Sequence, residues 1–120
     1  MFLQQLIERL ELCKQDTSIQ WDFGNLGILG AKSWRGLYRE LALGHAEYGT
    51  PGILETVADV VADLKSCDGK TFTGYKGGDY VMDGTTRVYC DNWGRYSSTH
   101  IVGVLDLDYV VVLETRHVPV

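Results

Sequence analysis

Apolar and polar positions follow two different spacings along the chain, one typical of helices and one typical of strands. In residues 1–15 apolar side chains recur every three or four positions, which predicts an amphipathic helix. A second helix is predicted to begin at Pro51, with Thr50 as its N-cap, and to stop at Gly69. The apolar stripe of this second helix comprises Ile53, Leu54, Val57, Val60, Val61, Leu64 and Cys67.

The segment 31–43 fits both spacings. Its aromatic and leucine positions are compatible with a helix, but Gly36 in the middle disfavours a helix by about 1 kcal/mol relative to alanine. A strand through Ser33–Tyr38 is therefore favoured. Such a strand would place Trp34 and Tyr38 on one face, because alternate side chains of a strand point to the same side.

Most other segments have the alternation and the Val, Thr, Tyr and Ile content of strands, beginning with residues 19–23. Further strands are predicted at Thr71–Gly74, Tyr80–Met82, Thr86–Cys90, Thr99–Leu105 and Tyr109–Thr115. Turn residues separate them at Gly77-Gly78, Asp83-Gly84, Asn92-Trp93-Gly94 and Asp106-Leu107-Asp108. The predicted fold class is α+β, a single domain over residues 1–120 in which two helices pack on a mostly antiparallel β-sheet.

Composition narrows the class of protein. A chain of 120 residues, 45% of them hydrophobic, can build one domain with a real core. Glu8, Arg9 and Glu11 interrupt the N-terminal apolar stretch, so neither a signal peptide nor a membrane span is expected there. The net charge of −5 argues against general DNA or RNA binding. Three widely spaced cysteines, Cys13, Cys67 and Cys90, are expected to be free thiols of a reducing cytosol.

One segment combines aromatic, basic and glycine residues. Gly69–His100 holds six of the thirteen aromatic residues, and within it lies the sequence GYKGGDY at Gly74–Tyr80. Glycine amides and a lysine can meet a phosphate, and tyrosines can stack on a base. The predicted ligand-binding residues are Trp34, Arg35, Tyr38, Tyr75, Lys76, Gly77, Gly78, Asp79, Tyr80 and Arg95. A glycine-rich turn whose tyrosines cover a small core explains the same pattern, and the P-loop motif GxxxxGK[ST] is absent.

Catalytic interpretations rest on fewer residues. Cys90, Asp91 and His100 could form a nucleophile and base, but their spacing sets no geometry. Acidic residues at positions i, i+4 and i+8 of the second predicted helix could bind a metal or form a solvated surface: Glu55, Asp59 and Asp63. No hydrolase or metal-ligand motif accompanies them. We therefore assign no catalytic residue, metal or cofactor, and a small hydrolase ranks third among the functions considered.

Two blocks of this sequence resemble a family of small, uncharacterised tailed-bacteriophage proteins. The first is Ser33–Tyr38, similar to S-[WY]-R-G-x-Y and followed by Leu41-Ala42-Leu43. The second is Gly69–Met82, which contains a block similar to G-x-T-F-x-G-Y-K-G-G-x-Y. In the family pattern a Val-Gly-Val strand ends the domain, and Ile101–Val104 corresponds to it here. The resemblance covers about residues 33–115, which would make the N-terminal helix an addition to the family core.

The resemblance implies a phage origin and expression in the cytoplasm of an infected bacterial host, but almost no biochemistry. Small accessory phage proteins without catalytic motifs often counter host defence. The leading hypothesis is therefore a protein that sequesters a small nucleotide-like signalling ligand without turning it over. The alternative is an inhibitor that binds a host defence protein directly. An exposed edge of an open sheet would encourage pairing into a homo-oligomer.

Overall fold

The computed structural model describes residues 1–74, 76–91 and 97–119, without the side chains of Ser97 and Pro119. These residues contain two helices, α1 (Leu3–Glu11) and α2 (Val57–Cys67). The strands are β1 (Ser18–Trp21), β2 (Ile28–Trp34), β3 (Leu37–His45), β4 (Thr71–Thr73), β5 (Asp79–Val81), β6 (Val88–Cys90), β7 (Ser97–Asp106) and β8 (Val110–Pro119). The predicted turn at residues 92–94 lies outside the described residues.

Six strands form one large curled sheet in the order β1-β8-β7-β6-β3-β2, and β4 pairs with β5 in a small second sheet. β1 runs parallel to β8 and β3 runs parallel to β6, whereas the other neighbouring strands are antiparallel. Both helices pack on one face of the large sheet and share its apolar core. The predicted α+β class with two helices on a mostly antiparallel sheet is confirmed.

The outer strands of the large sheet, β1 and β2, are linked by residues 53–56. The amide of Ile19 donates to a carbonyl in this segment (3.2 Å), and two amides of the segment donate to the carbonyl of Ile28 (3.1 Å each). The carboxylate of Asp63 accepts from the amide of Ala31 (2.9 Å). These contacts occupy backbone groups at both edges, where the sequence interpretation expected an edge open to a second copy.

The predicted start of the second helix at Pro51 is wrong, because α2 begins six residues later. Thr56 is the N-cap: its hydroxyl accepts from the amide of Asp59 (3.2 Å), and the Asp59 carboxylate accepts from the amide of Thr56 (3.1 Å). This reciprocal capping box satisfies two amides that lack helical partners and so fixes the helix start. The predicted end of this helix at Gly69 is nearly correct, since α2 ends at Cys67 and Gly69 adopts φ +76° directly after the C-cap residue Asp68.

The prediction of one continuous strand through Ser33–Tyr38 is also wrong. Those residues form a hairpin, in which β2 ends at Trp34, β3 begins at Leu37, and Arg35-Gly36 makes the turn. Trp34 and Tyr38 therefore lie on different strands. They pack against different aromatic rings, which separates two residues expected to share a face.

Candidate functional site

Two hairpins, β2–β3 and β4–β5, meet around a pair of tyrosines. The rings of Tyr38 and Tyr80 lie 6.3 Å apart between centroids, with 33° between their planes. Gly74 is buried beneath them, where a Cβ would lie 3.0 Å from Tyr38 Cγ and 3.1 Å from Tyr80 Cε2. The absence of a side chain at Gly74 therefore permits this contact. The surface formed by Tyr38, Tyr80 and the turns that carry Arg35 and Lys76 is termed the two-hairpin face.

Residues 76–78 of the GYKGGDY segment lie in the turn of the β4–β5 hairpin. Gly77 and Gly78 have φ of +86° and +84°, a conformation that costs other residues about 1–2 kcal/mol. The amide of Gly74 donates to the carbonyl of Gly78, and the amide of Gly77 donates to the carbonyl of Gly74, both at 2.9 Å. The Gly77 amide, which we expected to bind ligand, thus holds the turn in this conformation. Lys76 is exposed beside these glycines.

Charge is distributed unevenly between this region and the rest of the chain. The hairpin segments 32–40 and 70–81 carry five basic and two acidic residues, whereas the remaining chain carries six basic and fourteen acidic residues. Lys32 pairs with the nearly buried carboxylate of Asp91 at 2.9 Å. Even with that pair neutralised, the two hairpins form a positively charged region in an acidic protein. Such a region attracts anions.

Trp34 is set apart from the two-hairpin face. Its ring stacks on Tyr89 with centroids 4.2 Å apart, above the fully buried Ala42 of the intervening strand. It also covers Gly36, where a Cβ would lie only 2.5 Å from the indole ring. With 8% of its surface exposed, Trp34 secures the Arg35-Gly36 turn and offers no open face for a base.

The structure thus brings together part of the predicted site. Tyr38 and Tyr80 are in contact, the turn from Lys76 to Gly78 adjoins them, and Arg35 lies in the turn of the other hairpin. Asp79 does not join them, because it precedes Tyr80 in β5 and its side chain points to the opposite side of the strand. The hydroxyl of Thr73 donates to the Asp79 carboxylate at 3.1 Å. Tyr75 and Arg95 lie outside the described residues.

Cys90 and His100 do not form a nucleophile and base in the described structure. His100 pairs with Tyr89 across β6 and β7, so the side chain of the next residue, Cys90, points to the opposite face of the sheet. Burial, together with the nearby Asp91 and Asp22 carboxylates, raises the pKa of Cys90 to about 12. The thiol therefore stays protonated near neutral pH, when it is a poor nucleophile.

The prediction of an acidic face on the second helix is wrong. Glu55 precedes α2, so the three carboxylates do not lie at successive turns of one helix. Asp59 caps the helix, and Asp63 accepts from an amide of β2. Both carboxylates therefore have structural partners. In the described part of the chain, no group of three or more His, Cys, Asp or Glu side chains could hold a metal ion.

The sequence interpretation missed a row of side chains on the sheet face away from the helices. Tyr89 lies between Trp34 and His100, which meets the tyrosine ring edge-on at 5.1 Å. Arg87 directly precedes β6, and its position two residues before Tyr89 places both side chains on the same side of the extended chain. The alternation of Arg87 and Tyr89 in the sequence was the available signal, but the cross-strand partner could not be inferred without the register.

Comparison with known proteins gives no match: no family model, curated protein or solved structure matches this chain. The resemblance to tailed-phage proteins therefore stays a prediction based on the two sequence blocks. Of the helices in the described residues, none has the length and apolar character needed to cross a membrane.

Proposed function

We propose that this protein is a phage-encoded counter-defence protein that binds a nucleotide-type signalling ligand without catalysis. The ligand would occupy the two-hairpin face, in the cytoplasm of an infected bacterial host. The observation that carries the proposal is the contact between Tyr38 and Tyr80, held by Gly74 and flanked by turns that bear Arg35 and Lys76. This arrangement supplies an aromatic surface for a base and cations for phosphate.

Each described residue of the face has a distinct part in the proposal. Tyr38 and Tyr80, both half-buried, provide the surface against which a base packs. Arg35 and Lys76 meet phosphate oxygens. Trp34, which we expected to stack on the base, instead supports the turn that carries Arg35. Tyr75 and Arg95 complete the proposed set from the sequence.

Thermal unfolding with and without candidate ligands tests the proposal. The panel comprises cyclic di- and trinucleotides, cyclic ADP-ribose isomers, NAD and ATP. A ligand present at 100 times its dissociation constant adds about 2.7 kcal/mol of stability. For a domain of this size that stabilisation raises Tm by roughly 10 °C. No rise with any member of the panel would contradict binding of these ligand classes.

Variants then test the location of the site. Lys76→Gln removes one charge from the face and should weaken binding about tenfold, as expected for loss of one charged hydrogen bond. Lys14→Gln removes the same charge from an exposed position near the end of α1 and should leave binding unchanged. Equal affinities of these two variants would place the ligand elsewhere.

A direct inhibitor of a host defence protein is the second candidate. It is favoured by exposed apolar side chains on the same hairpins, Leu37 at 44% and Val81 at 68% exposure. Such residues can anchor a protein partner. An inhibitor would show no stabilisation by nucleotides, and it would retain its partner from infected cells in a pull-down that Leu37→Ser abolishes. A hydrolase would release product beyond one equivalent of protein.

A further inference from the structure

A small groove lies between the N-terminal end of α1 and the side chains of Arg87, Tyr89 and His100. Its volume is about 210 Å³. It is lined by Met1, Phe2, Gln5, Arg87, Val88, Tyr89 and His100. This volume is below the roughly 300–1,000 Å³ of pockets for drug-sized ligands. The groove therefore suits one small group and not a whole nucleotide.

Strand register places Arg116 beside the two basic side chains that line this groove, Arg87 and His100. His100 of β7 pairs with Tyr89 of β6 on one side and with Arg116 of β8 on the other. Directly paired residues have their side chains on the same face of a sheet. Arg87 lies on the Tyr89 side of its strand, with its guanidinium 5.6 Å from the centre of the Phe2 ring. Three adjacent strands thus present Arg87, His100 and Arg116 to one side.

Local electrostatics are dominated by these positive groups. Burial lowers the pKa of His100, and the Met1 amine, Arg87 and Arg116 lower it further. The carboxylate of Glu40 accepts from the backbone amide of Arg87. The hydroxyl of Ser98 lies 3.0 Å from His100 Nε2, so one ring nitrogen has a neighbour within the protein. A bound anion would reduce the repulsion among these cations.

We propose that this groove binds a small, doubly charged oxyanion, of the class of a phosphate group, between Arg87, His100 and Arg116. The guanidinium groups are suited to the tetrahedral oxygens of such an anion. Tyr89 and Phe2 contribute apolar atoms to the walls of the groove. This second site is independent of the two-hairpin face and does not rest on the proposed nucleotide ligand.

Titration of the His100 ring by NMR, with sodium sulfate as the probe, tests the site. Sulfate keeps its two charges from pH 5 to 8, so only the protein titrates, and sodium chloride maintains the ionic strength. Saturating sulfate should raise the pKa of His100 by about 1, because an adjacent anion favours the charged ring. Sulfate should accordingly bind more tightly as the pH falls. A His100 titration that is identical with and without sulfate would overturn the proposal.

Two charge-removing variants distinguish sulfate binding in the groove from general attraction of anions by the positive charges of the protein. Arg116→Gln, at an exposed position, should weaken sulfate binding roughly three- to tenfold. Lys14→Gln, at an exposed position near the end of α1 and outside both proposed sites, should leave sulfate binding unchanged. Equal loss in both variants, or an equal response of the His45 and His117 ring signals, would show unspecific binding and refute the site.

A substitution of His100 tests its role separately from that of the two arginines. His100→Asn keeps a polar side chain and removes the titrating group. Calorimetry should show that this variant retains sulfate binding through Arg87 and Arg116 but loses most of its dependence on pH between 5 and 7. A pH dependence equal to that of the wild type would contradict the role assigned to His100. Nucleotide binding at the two-hairpin face should be the same in both proteins.

Discussion

Substitution of Gly74 by alanine would place a methyl group in the contact that joins the two hairpins. That methyl carbon would lie 3.0 Å from Tyr38 Cγ, 3.1 Å from Tyr38 Cβ and 3.1 Å from Tyr80 Cε2. The first two atoms are at the root of a side chain, so rotation of Tyr38 cannot move both away. The hairpins would instead have to separate.

The free-energy cost of the Gly74→Ala substitution follows from these distances. Carbon atoms in good contact are about 3.5–4.0 Å apart, so the gap must open by about 0.5 Å. Insertion of a methyl group into a filled interior costs about 1–3 kcal/mol when backbone has to move. Gly74→Ala should therefore lower the free energy of unfolding by that amount. It should also weaken nucleotide binding, because the rings of Tyr38 and Tyr80 would no longer form one surface.

Urea unfolding and NMR measure the two effects separately. The control is Gly77→Ala in the same hairpin, where φ is +86° but no atom lies within 4 Å of the added Cβ. This control should lose about 1 kcal/mol from backbone strain alone and keep the nuclear Overhauser contacts between Tyr38 and Tyr80. If Gly74→Ala matched the wild type in stability and kept those contacts, the described meeting of the hairpins would be refuted.

Three further predictions concern the fold. Thr56→Ala should lower the free energy of unfolding by about 1 kcal/mol, and Thr50→Ala should leave it nearly unchanged; equal urea midpoints would contradict the helix start at Val57. Asp63→Ala should cost about 1–3 kcal/mol and increase self-association in ultracentrifugation, because the Ala31 amide at the sheet edge loses its acceptor. The pKa of Cys90 rises from 9.0 to about 12 on folding, so its stabilising contribution is complete below pH 9 and falls between pH 9 and 12. Cys90→Ala should therefore lose stability less steeply over that range, and parallel curves would argue against a buried thiol.

Local patterns predicted most of the secondary structure. The spacing of Leu3, Leu6 and Leu10 identified α1, and these three residues are fully buried. The predicted start of α2 was wrong because Thr50-Pro51 and Thr56-Val57 both resemble a helix N-terminus. What distinguishes them is Asp59, whose carboxylate closes a capping box with Thr56. The apolar residues Ile53 and Leu54 instead help to link the outer strands of the sheet. This contact between distant parts of the chain cannot be recognised from the local sequence pattern.

The candidate site was predictable in composition but not in arrangement. The turn at Gly77-Gly78 was predicted correctly, because both glycines permit positive φ. The partner of each aromatic residue was not predictable, since the Arg35-Gly36 turn sends Trp34 to Tyr89 and Tyr38 to Tyr80. The basic groove depended on the register of three strands that are distant in sequence. Such contacts become visible only when the sheet order is known.

The most direct test of ligand binding at the two-hairpin face is a pair of assigned ¹H–¹⁵N NMR spectra. One spectrum is recorded on the free protein and the other with the pooled nucleotide panel. We predict that the amides of Gly74 and residues 76–80 shift together with those of Arg35 and Tyr38, while amides of α1 stay in place. Unchanged spectra, or shifts confined to residues outside the two hairpins, would contradict the proposed site.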